Sequence, residues 1–278
     1  MSTKQDSDVT RPAGWDEISE RYQGLVGRMT LHGTTRIVEY VNTVAPFQED
    51  SYVLDVGAGG GSVEIVIRER APAGTKILAT DIAVGMLAQI DALKLPNVTT
   101  QQEDAVNLAG LKNDTFTHAF TTYAIQFTPD AQEAVNQMYR VLKPGGTAGI
   151  LIWGDYVGMA DIHDRACRLV NPQYRAAEPM AGKAWSGRVE HRQALMKAGF
   201  QNVEINGCLM PWYTETGEDF ARYWFDFKNP VPELMLAGAA KQGITREQLR
   251  PVVTKLVNDE YSGPRGIVGT AVLGWGTK

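Results

Sequence analysis

The sequence predicts an α/β protein built around a mostly parallel sheet with helices on both faces. Between residues 51 and 153, short apolar runs alternate with segments whose apolar residues recur at helical spacing. That alternation is typical of strand–helix–strand units, which form parallel sheets covered on both sides. In addition, the apolar run at residues 52–56 leads directly into a glycine-rich turn and then into a helical segment. We therefore expect a ligand at the carboxyl edge of this sheet.

The individual elements follow from periodicity and from the turns between them. Apolar residues at helical spacing from residue 15 to residue 45 predict two helices, with a break near His32 and Gly33. Asp130 is well placed to cap a helix that begins beside it. The predicted strands are 51–56, 76–80, 98–102, 115–121 and 147–153, and the predicted helices between them are 63–70, 84–93 and 130–142.

Beyond residue 153 the pattern becomes more helical. The predicted elements there are helices at 162–170 and 190–198, a strand at 201–210, mostly helix from 217 to 259 and a last strand at 266–275. The polar residues 1–13 are expected to be a disordered tail, and residues 14–278 a single domain. Within that domain we expect a helical cap at 14–46 and two insertions, 154–188 and 212–264, that form a lid over a substrate.

Charge and composition narrow the possible partners. The 278 residues carry a formal net charge of −5, so we expect no broad basic surface to hold a nucleic-acid backbone. No apolar stretch is long enough to span a bilayer, and we expect no membrane partner. The two cysteines, Cys167 and Cys208, do not form a Cys-x-x-Cys pair. They predict free thiols in a reducing, cytoplasmic compartment and no metal site.

The glycine-rich turn at residues 57–61 carries the main functional signal. Gly57 and Gly59 allow a sharp turn and a close approach by a ligand, because they have no Cβ. The helix that follows directs N–H groups and the positive end of its dipole to the same point. Asp55 stands two residues before the first glycine. A carboxylate there favours a ligand that carries an ammonium group over one that carries only phosphate.

Residues 55–61, Asp-Val-Gly-Ala-Gly-Gly-Gly, resemble the first motif of the class I S-adenosylmethionine-dependent methyltransferases, acid-x-Gly-x-Gly-x-Gly. Residues 142–146, Leu-Lys-Pro-Gly-Gly, resemble the turn before the fifth strand of that family. The resemblance extends from about residue 15 to residue 200. It implies a Rossmann-like sheet of seven strands with an antiparallel last strand. It also implies S-adenosyl-L-methionine as cofactor and S-adenosyl-L-homocysteine as product.

Two further acids lie where this family contacts its cofactor. Asp81 ends the second predicted strand, where a carboxylate accepts both hydroxyls of a ribose; a cap for the next helix is the alternative, and NAD-binding proteins share the arrangement. For Asp104, after the third strand, the resemblance implies an acceptor for the exocyclic amine of adenine; a solvated loop acid is the alternative. The segment from Trp15 to Tyr22 resembles the N-terminal Trp…Tyr segment of methyltransferases related to quinone biosynthesis, which implies that Tyr22 reaches the cofactor's carboxylate; an ordinary amphipathic helix is the alternative. The predicted cofactor contacts are Tyr22, Asp55, Gly57, Ala58, Gly59, Asp81, Ile82, Met86, Asp104, Ala105, Thr121 and Thr122.

Residues 121–130 occupy the position of the family's fourth motif, with Gln126 and Phe127 in place of its two histidines. The Asn-Pro-Pro-Tyr motif used on adenine and glutamine amines does not occur here either, which argues against those substrates. Tyr123 is expected either beside the transferred methyl group or packed as a strand-end aromatic, and His163 is the candidate general base. The predicted substrate contacts are Gln126, Phe127, Trp153, Trp185, Tyr213 and Trp224, although such aromatic residues are more often core.

These features predict methyl transfer from S-adenosylmethionine to a small, partly apolar metabolite, with oxygen as the first expectation for the acceptor, by in-line displacement. One alternative is S- or C-methylation of the natural-product or quinone type. Another is a relative that binds the cofactor but regulates or cyclises without methylating. A NAD-dependent oxidoreductase is a further alternative, and it needs a turn compatible with phosphate and no acid at position 55.

Overall fold

The protein, seen in a computed structural model that describes residues 11–22, 27–176, 185, 187–263 and 266–278, has a central sheet of seven strands. The strands are β1 (Tyr52–Val56), β2 (Lys76–Asp81), β3 (Val98–Gln102), β4 (Phe116–Thr122), β5 (Leu142–Val157), β6 (Gln201–Trp212) and β7 (Ile267–Thr277). Their order in the sheet is β3-β2-β1-β4-β5-β7-β6. Strands β1 to β5 pair in parallel, and β7 runs antiparallel to both β5 and β6. The predicted α/β fold with an antiparallel last strand is therefore confirmed.

Helices cover both faces of the sheet, and a helical region follows β6. The helices are α1 (Pro12–Tyr22), α2 (Arg28–Val44), α3 (Ser62–Arg70), α4 (Val84–Ala92), α5 (Ala131–Val141), α6 (Gly158–Val170), α7 (Arg188–Ala198), α8 (Gly217–Phe225), α9 (Pro230–Ala240) and α10 (Arg246–Glu260). Each helix in the described part of the chain lacks the combination of length and apolar character that crossing a bilayer requires.

The N-terminal helices differ from the prediction in two respects. The chain was expected to break near His32 and Gly33, but α2 continues through both residues. Gly33 is buried, and a Cβ on it would lie 2.3 Å from the Tyr123 hydroxyl. This glycine therefore serves close packing of α2 rather than a break. Helix α1 begins at Pro12, two residues before the predicted cap, and proline suits the first helical turn. Residues 1–10 of the predicted tail lie outside the described residues.

Two helix ends follow the signals read from the sequence. Asp130 caps α5 by accepting the Glu133 N–H at 3.0 Å, and Gly199 ends α7 with a φ of 108°. The Asp130 cap and Gly199 settle these helix boundaries because a side-chain cap or a glycine acts within one turn.

Both cysteines are free: Cys167 is buried and Cys208 is partly buried.

The strand order creates a crevice at the carboxyl edge of the sheet. From β1 the chain proceeds outward through β2 to β3, then returns to place β4 on the other side of β1. The helices that follow β1 and β4 therefore leave the sheet in opposite directions, and a gap opens between their starts. Such a switch point is where α/β sheets bind ligands. Strand β1 itself is apolar and buried, as a central parallel strand should be.

Candidate active site

A cavity of about 890 Å³, measured out to its open mouth, lies at this switch point. Its walls come from the ends of β1, β2 and β4, the segments after β3 and β4, and helices α1 and α4. The lining residues are Trp15, Tyr22, Gly57, Gly59, Asp81, Ile82, Met86, Glu103, Asp104, Ala105, Thr122, Tyr123, Ala124, Phe127, Thr128 and Pro129.

The glycine turn (residues 57–61) bends so that its N–H groups face the protein. The N–H groups of Gly57 and Ala58 both donate to the Thr80 carbonyl, at 2.8 and 2.9 Å. Gly59 has a φ of +55° and donates its N–H to Asp81 Oδ2 at 2.9 Å. The N–H of Gly61 donates to the Ala58 carbonyl. Three of these donors bond to the end of β2 and one bonds within the turn, whereas a phosphate site needs such groups directed at the ligand.

Asp81 connects the glycine turn to helix α4. Besides the bond from Gly59, its Oδ1 accepts the N–H of Ala83 at 2.9 Å, at the start of α4. Burial raises the pKa of Asp81, the backbone donors oppose that rise, and the nearby Asp16 adds to it. Each carboxyl oxygen keeps a second lone pair, so the group still has acceptors for two hydroxyls. The two roles considered for Asp81, hydroxyl acceptor and local cap, are therefore compatible.

The next part of the cavity combines apolar side chains with two further acids. Met86 is 2% exposed and, with Ile82, offers apolar surface beside the wall. Asp104 is exposed, and its Oδ1 accepts the Val106 N–H at 3.1 Å. Glu103 accepts the N–H of Gly110 at 3.1 Å. This wall therefore offers a flat ring both dispersion contacts and hydrogen-bond acceptors.

Helix α1 lies over the cavity. Trp15 packs against Phe127, with ring centroids 5.7 Å apart, and the ring of Tyr22 lies against Gly59. Asp16 fixes the helix by accepting the N–H of Gly85 at 2.7 Å, in the first turn of α4. A Cβ at Gly85 would meet that same carboxylate at 2.9 Å, so the approach of α1 requires a glycine there.

Tyr123 lies at the junction of β4 with the segment that follows. Its φ is +56°, an uncommon conformation for a residue other than glycine, and its N–H donates to the Leu151 carbonyl at 2.7 Å. The ring packs on Trp153 at a centroid distance of 4.6 Å, and the hydroxyl donates to Met210 Sδ at 3.3 Å. Burial raises the pKa of this phenol well above its ordinary value. It is therefore a rigid, protonated wall of the cavity rather than a base.

Three predicted cofactor contacts lie behind the cavity rather than on its surface. Ala58 packs in a small core cluster with Ala79, and Thr121 is fully buried within β4. Asp55 is also fully buried and faces Glu64, the third residue of α3. The other nine predicted contacts all line the cavity.

The predicted substrate contacts divide. Phe127 lines the cavity, whereas Gln126 is buried beside it and accepts the Trp153 N–H at 2.9 Å. Trp185 packs against His191 in the core. Trp224 is 1% exposed within the helical region after β6, and Tyr213 is 63% exposed. The lining residues within the described chain extend no further than Pro129, so the insertions were not found at the cavity wall.

His163 lies in a separate buried cluster between α6 and α8. Its Nδ1 accepts the indole N–H of Trp224 at 3.2 Å, and its Nε2 lies 3.4 Å from Cys167 Sγ. Burial lowers the pKa of His163 to about 4, and burial raises the pKa of Cys167 to about 12. Both ring nitrogens are thus engaged in the core, and His163 does not line the cavity.

Five lining residues were not among the predicted contacts: Trp15, Glu103, Ala124, Thr128 and Pro129. Ala124, Thr128 and Pro129 lie inside the motif at residues 121–130, and Glu103 precedes Asp104, so their positions in the sequence were the available signal. Trp15 begins the segment that ends at Tyr22, but its contact with the cavity depends on how α1 lies over the sheet.

Charge determines which nucleoside ligand fits. Asp81, Glu103 and Asp104 line the cavity, and the buried Asp55 and Glu64 lie behind the turn. None of the described lining residues is Lys, Arg or His. A pyrophosphate would meet acids and spent N–H groups, whereas a nucleoside with a sulfonium and an ammonium meets acceptors and negative charge. The residues present therefore fit S-adenosylmethionine.

Comparisons with known proteins agree with this geometry. A methyltransferase domain model matches residues 53–146. The methyltransferase tpcH of Aspergillus fumigatus is 26% identical over 179 residues, and the alignment covers 59% of this chain and 64% of that relative. The malonyl-[acyl-carrier protein] O-methyltransferase of Geobacter sulfurreducens is 24% identical over 82% of this chain and 83% of its own length.

Among solved structures, the YcgJ protein of Bacillus subtilis superposes with a TM-score of 0.55 at 16% identity, covering 87% of this chain and 98% of that one. At that identity the likeness concerns the fold. The domain match, the named relatives and the strand order together confirm the resemblance read from residues 55–61. Residues 53–146 are therefore a methyltransferase domain, and the chain has the fold of the class I S-adenosylmethionine-dependent methyltransferases.

Proposed function

We propose that this protein transfers a methyl group from S-adenosylmethionine to an oxygen atom of a small, partly apolar metabolite. The observation that carries the proposal is the cavity at the switch point. In this cavity four N–H groups of the glycine turn, those of Gly57, Ala58, Gly59 and Gly61, are already bonded within the protein and are not available to a phosphate. The walls carry acidic side chains, and aromatic side chains of α1 lie over them. When bound, the cofactor would supply an electrophilic methyl group on its sulfonium, and the thioether of S-adenosylhomocysteine would leave opposite the attacking oxygen as the C–S bond breaks.

The proposed contacts follow from the walls. Asp81 would accept the ribose hydroxyls, and Asp104 would accept the amine of adenine between the apolar surfaces of Ile82 and Met86. Tyr22 would close the cavity from α1. These residues bind and orient, and orientation alone lowers the barrier for two bound reactants by about 7–11 kcal/mol in favourable cases.

The described cavity walls hold no Lys or His, burial and the charge of Asp81 raise the pKa of Tyr22, and burial raises that of Tyr123. The lining carboxylates are already engaged: Asp81 and Asp104 are assigned to the cofactor, and Glu103 accepts the Gly110 N–H. We infer that the acceptor is an acidic oxygen, such as a carboxylate or an acidic phenol, which ionises without help near neutral pH. The O-methyltransferase name of one relative, which aligns over 82% of this chain, supports oxygen.

Labelled S-adenosylmethionine and a metabolite extract test this proposal. Mass spectrometry of the methylated products should show label on oxygen of a small molecule, and the rate should rise tenfold per pH unit below the pKa of the acceptor. Label on sulfur or carbon would overturn the oxygen assignment. Binding of the cofactor without any labelled product would favour a regulator or a cyclase. Calorimetry with NAD is the control, and tight NAD binding would contradict the site.

A further inference from the structure

Two buried acids meet behind the glycine turn. Asp55 on β1 and Glu64 on α3 are each 0% exposed, and no side chain outside the pair donates a hydrogen bond to their four carboxyl oxygens within the described chain. The backbone N–H groups of Val56 and Glu64 favour the ionised forms, but burial outweighs them and raises the pKa of both acids. The two groups are close enough to interact as a hydrogen-bonded pair. Two ionised carboxylates in contact, with no other side chain to donate to them, would carry a large desolvation cost. A proton held between the two carboxyl groups removes both the repulsion and part of that cost.

The described surroundings of this acid pair (Asp55 and Glu64) supply no compensating cation. On β2, Asp81 is the nearby charge and it is also negative. On the side of α4, the apolar side chains of Ile90 and Leu93 lie beside Gly61, next to Glu64. Arg68 lies one turn further along α3, but burial alone lowers its pKa, without a contribution from either carboxyl. On α1, Asp16 and Tyr22 interact electrostatically with Asp81 rather than with the acid pair.

We propose that Asp55 and Glu64 hold one proton between them and act as a single negative charge behind the turn, directed at the positive end of the bound cofactor. Glu64 is then a positioning residue for Asp55. This inference rests on the proposed cofactor site. Burial raises the pKa of Asp55 well above its ordinary value and that of Glu64 to about 7. Below pH 7 the pair takes up a second proton and becomes neutral, so binding of a cationic ligand should release a proton.

The first test uses the protein without ligand. A folded-state pKa raised above the unfolded value contributes stability that is complete below pH 4.5 and is lost as the pH rises through about 7. Glu64→Gln removes this titration, and its amide donates to Asp55 in place of the shared proton. The Tm of Glu64→Gln relative to wild type should therefore rise by about 5 °C or more between pH 5 and pH 8. Asp91→Asn, an exposed acid on α4, is the matched control and should follow wild type.

Parallel Tm curves for Glu64→Gln and wild type would overturn the proposal. Failure of Glu64→Gln to fold would also overturn it, because the amide supplies the same hydrogen. Asp55→Asn examines the pair from the other side, and its Tm curve should lose the same pH dependence.

The second test is the cofactor affinity measured by calorimetry at pH 6 and pH 8.5. At pH 8.5 wild type and Glu64→Gln should bind S-adenosylmethionine equally. Between pH 8.5 and pH 6 the affinity of wild type should fall by up to about tenfold, because most wild-type pairs then carry a second proton. The affinity of Glu64→Gln should fall less, because its amide donates to Asp55 and no longer repels the ionised form. The cofactor's own titration is common to both proteins and cancels in the ratio of the two affinities. An unchanged ratio would overturn the coupling. Absence of binding to any variant would instead refute the proposed function, and the Tm curves would still decide the pair.

Discussion

Replacing Asp81 with asparagine should separate cofactor binding from folding. Asparagine keeps the size of the side chain and one acceptor oxygen, but it loses the charge and turns an N–H₂ group toward one of two backbone donors, Gly59 or Ala83. Hydrogen bonds from ribose hydroxyls to a carboxylate contribute about 1.5–3 kcal/mol each. Loss of one such bond, with the other weakened from charged to neutral, predicts a Kd that is weaker by roughly 10-fold to 100-fold.

The effect on stability should be smaller than the effect on binding. One backbone N–H loses its acceptor, at a cost of about 1–3 kcal/mol. Part of this cost is offset, because burial raises the pKa of Asp81 and the ionised group is itself destabilising in the fold. At about 2–4 °C per kcal/mol, Asp81→Asn should melt no more than about 5 °C below wild type.

The assay is titration calorimetry with S-adenosylhomocysteine, accompanied by thermal melts of the same samples. Asp91→Asn is the matched control, since in the described chain its carboxylate accepts from the Thr100 hydroxyl and does not line the cavity. A Kd for Asp81→Asn within threefold of wild type would refute the assignment of Asp81. A melt lowered by more than about 10 °C would show instead that Asp81 is mainly a structural cap.

Three other variants examine the packing around the cavity. Gly33→Ala places a Cβ 2.3 Å from the Tyr123 hydroxyl and should cost about 1–3 kcal/mol in a denaturant melt, whereas unchanged stability would mean that α2 shifts freely. Asp16→Asn weakens the charge-assisted bond to Gly85 and should raise the cofactor's dissociation rate about fivefold in stopped flow, and an unchanged rate would show that α1 is held by other contacts. His163→Phe should lower the Tm yet leave kcat within about twofold once the labelled assay is available, and a drop of 100-fold would restore the histidine as a base.

Local sequence signals, such as hydrophobic periodicity, helix caps and terminal glycines, predicted the strands and helices well because these signals act within a few residues. The strand at 98–102 was predicted at its observed bounds, and the Asp130 cap and the Gly199 terminus lie where short-range hydrogen bonds require them. Gly33 shows the limit of such signals. A glycine in a helical pattern reads as a break, but here it makes room for a tyrosine that is ninety residues away in the chain.

Side-chain direction was the harder problem. His163 lies in the segment after β5, as expected, but the face of α6 that carries it turns toward α8 and Trp224 instead of the cavity. Aromatic residues raise the same difficulty, because Trp153 or Trp224 stabilises a core as readily as it lines a pocket. Trp15 was missed for the opposite reason, since only the docking of α1 brings it to the cavity.

The amino-acid sequence was sufficient to predict the succession of strands and helices along the chain, the glycine turn and the acids at the strand ends. These features are local, because they depend on backbone conformation and on hydrophobic periodicity. The tertiary structure alone decided that the N–H groups of the turn are already bonded and that α1 roofs the cavity. It also decided that Glu64 meets Asp55 behind the turn. Those features depend on distances between elements far apart in the chain, and such distances are settled only when the helices and the sheet pack together.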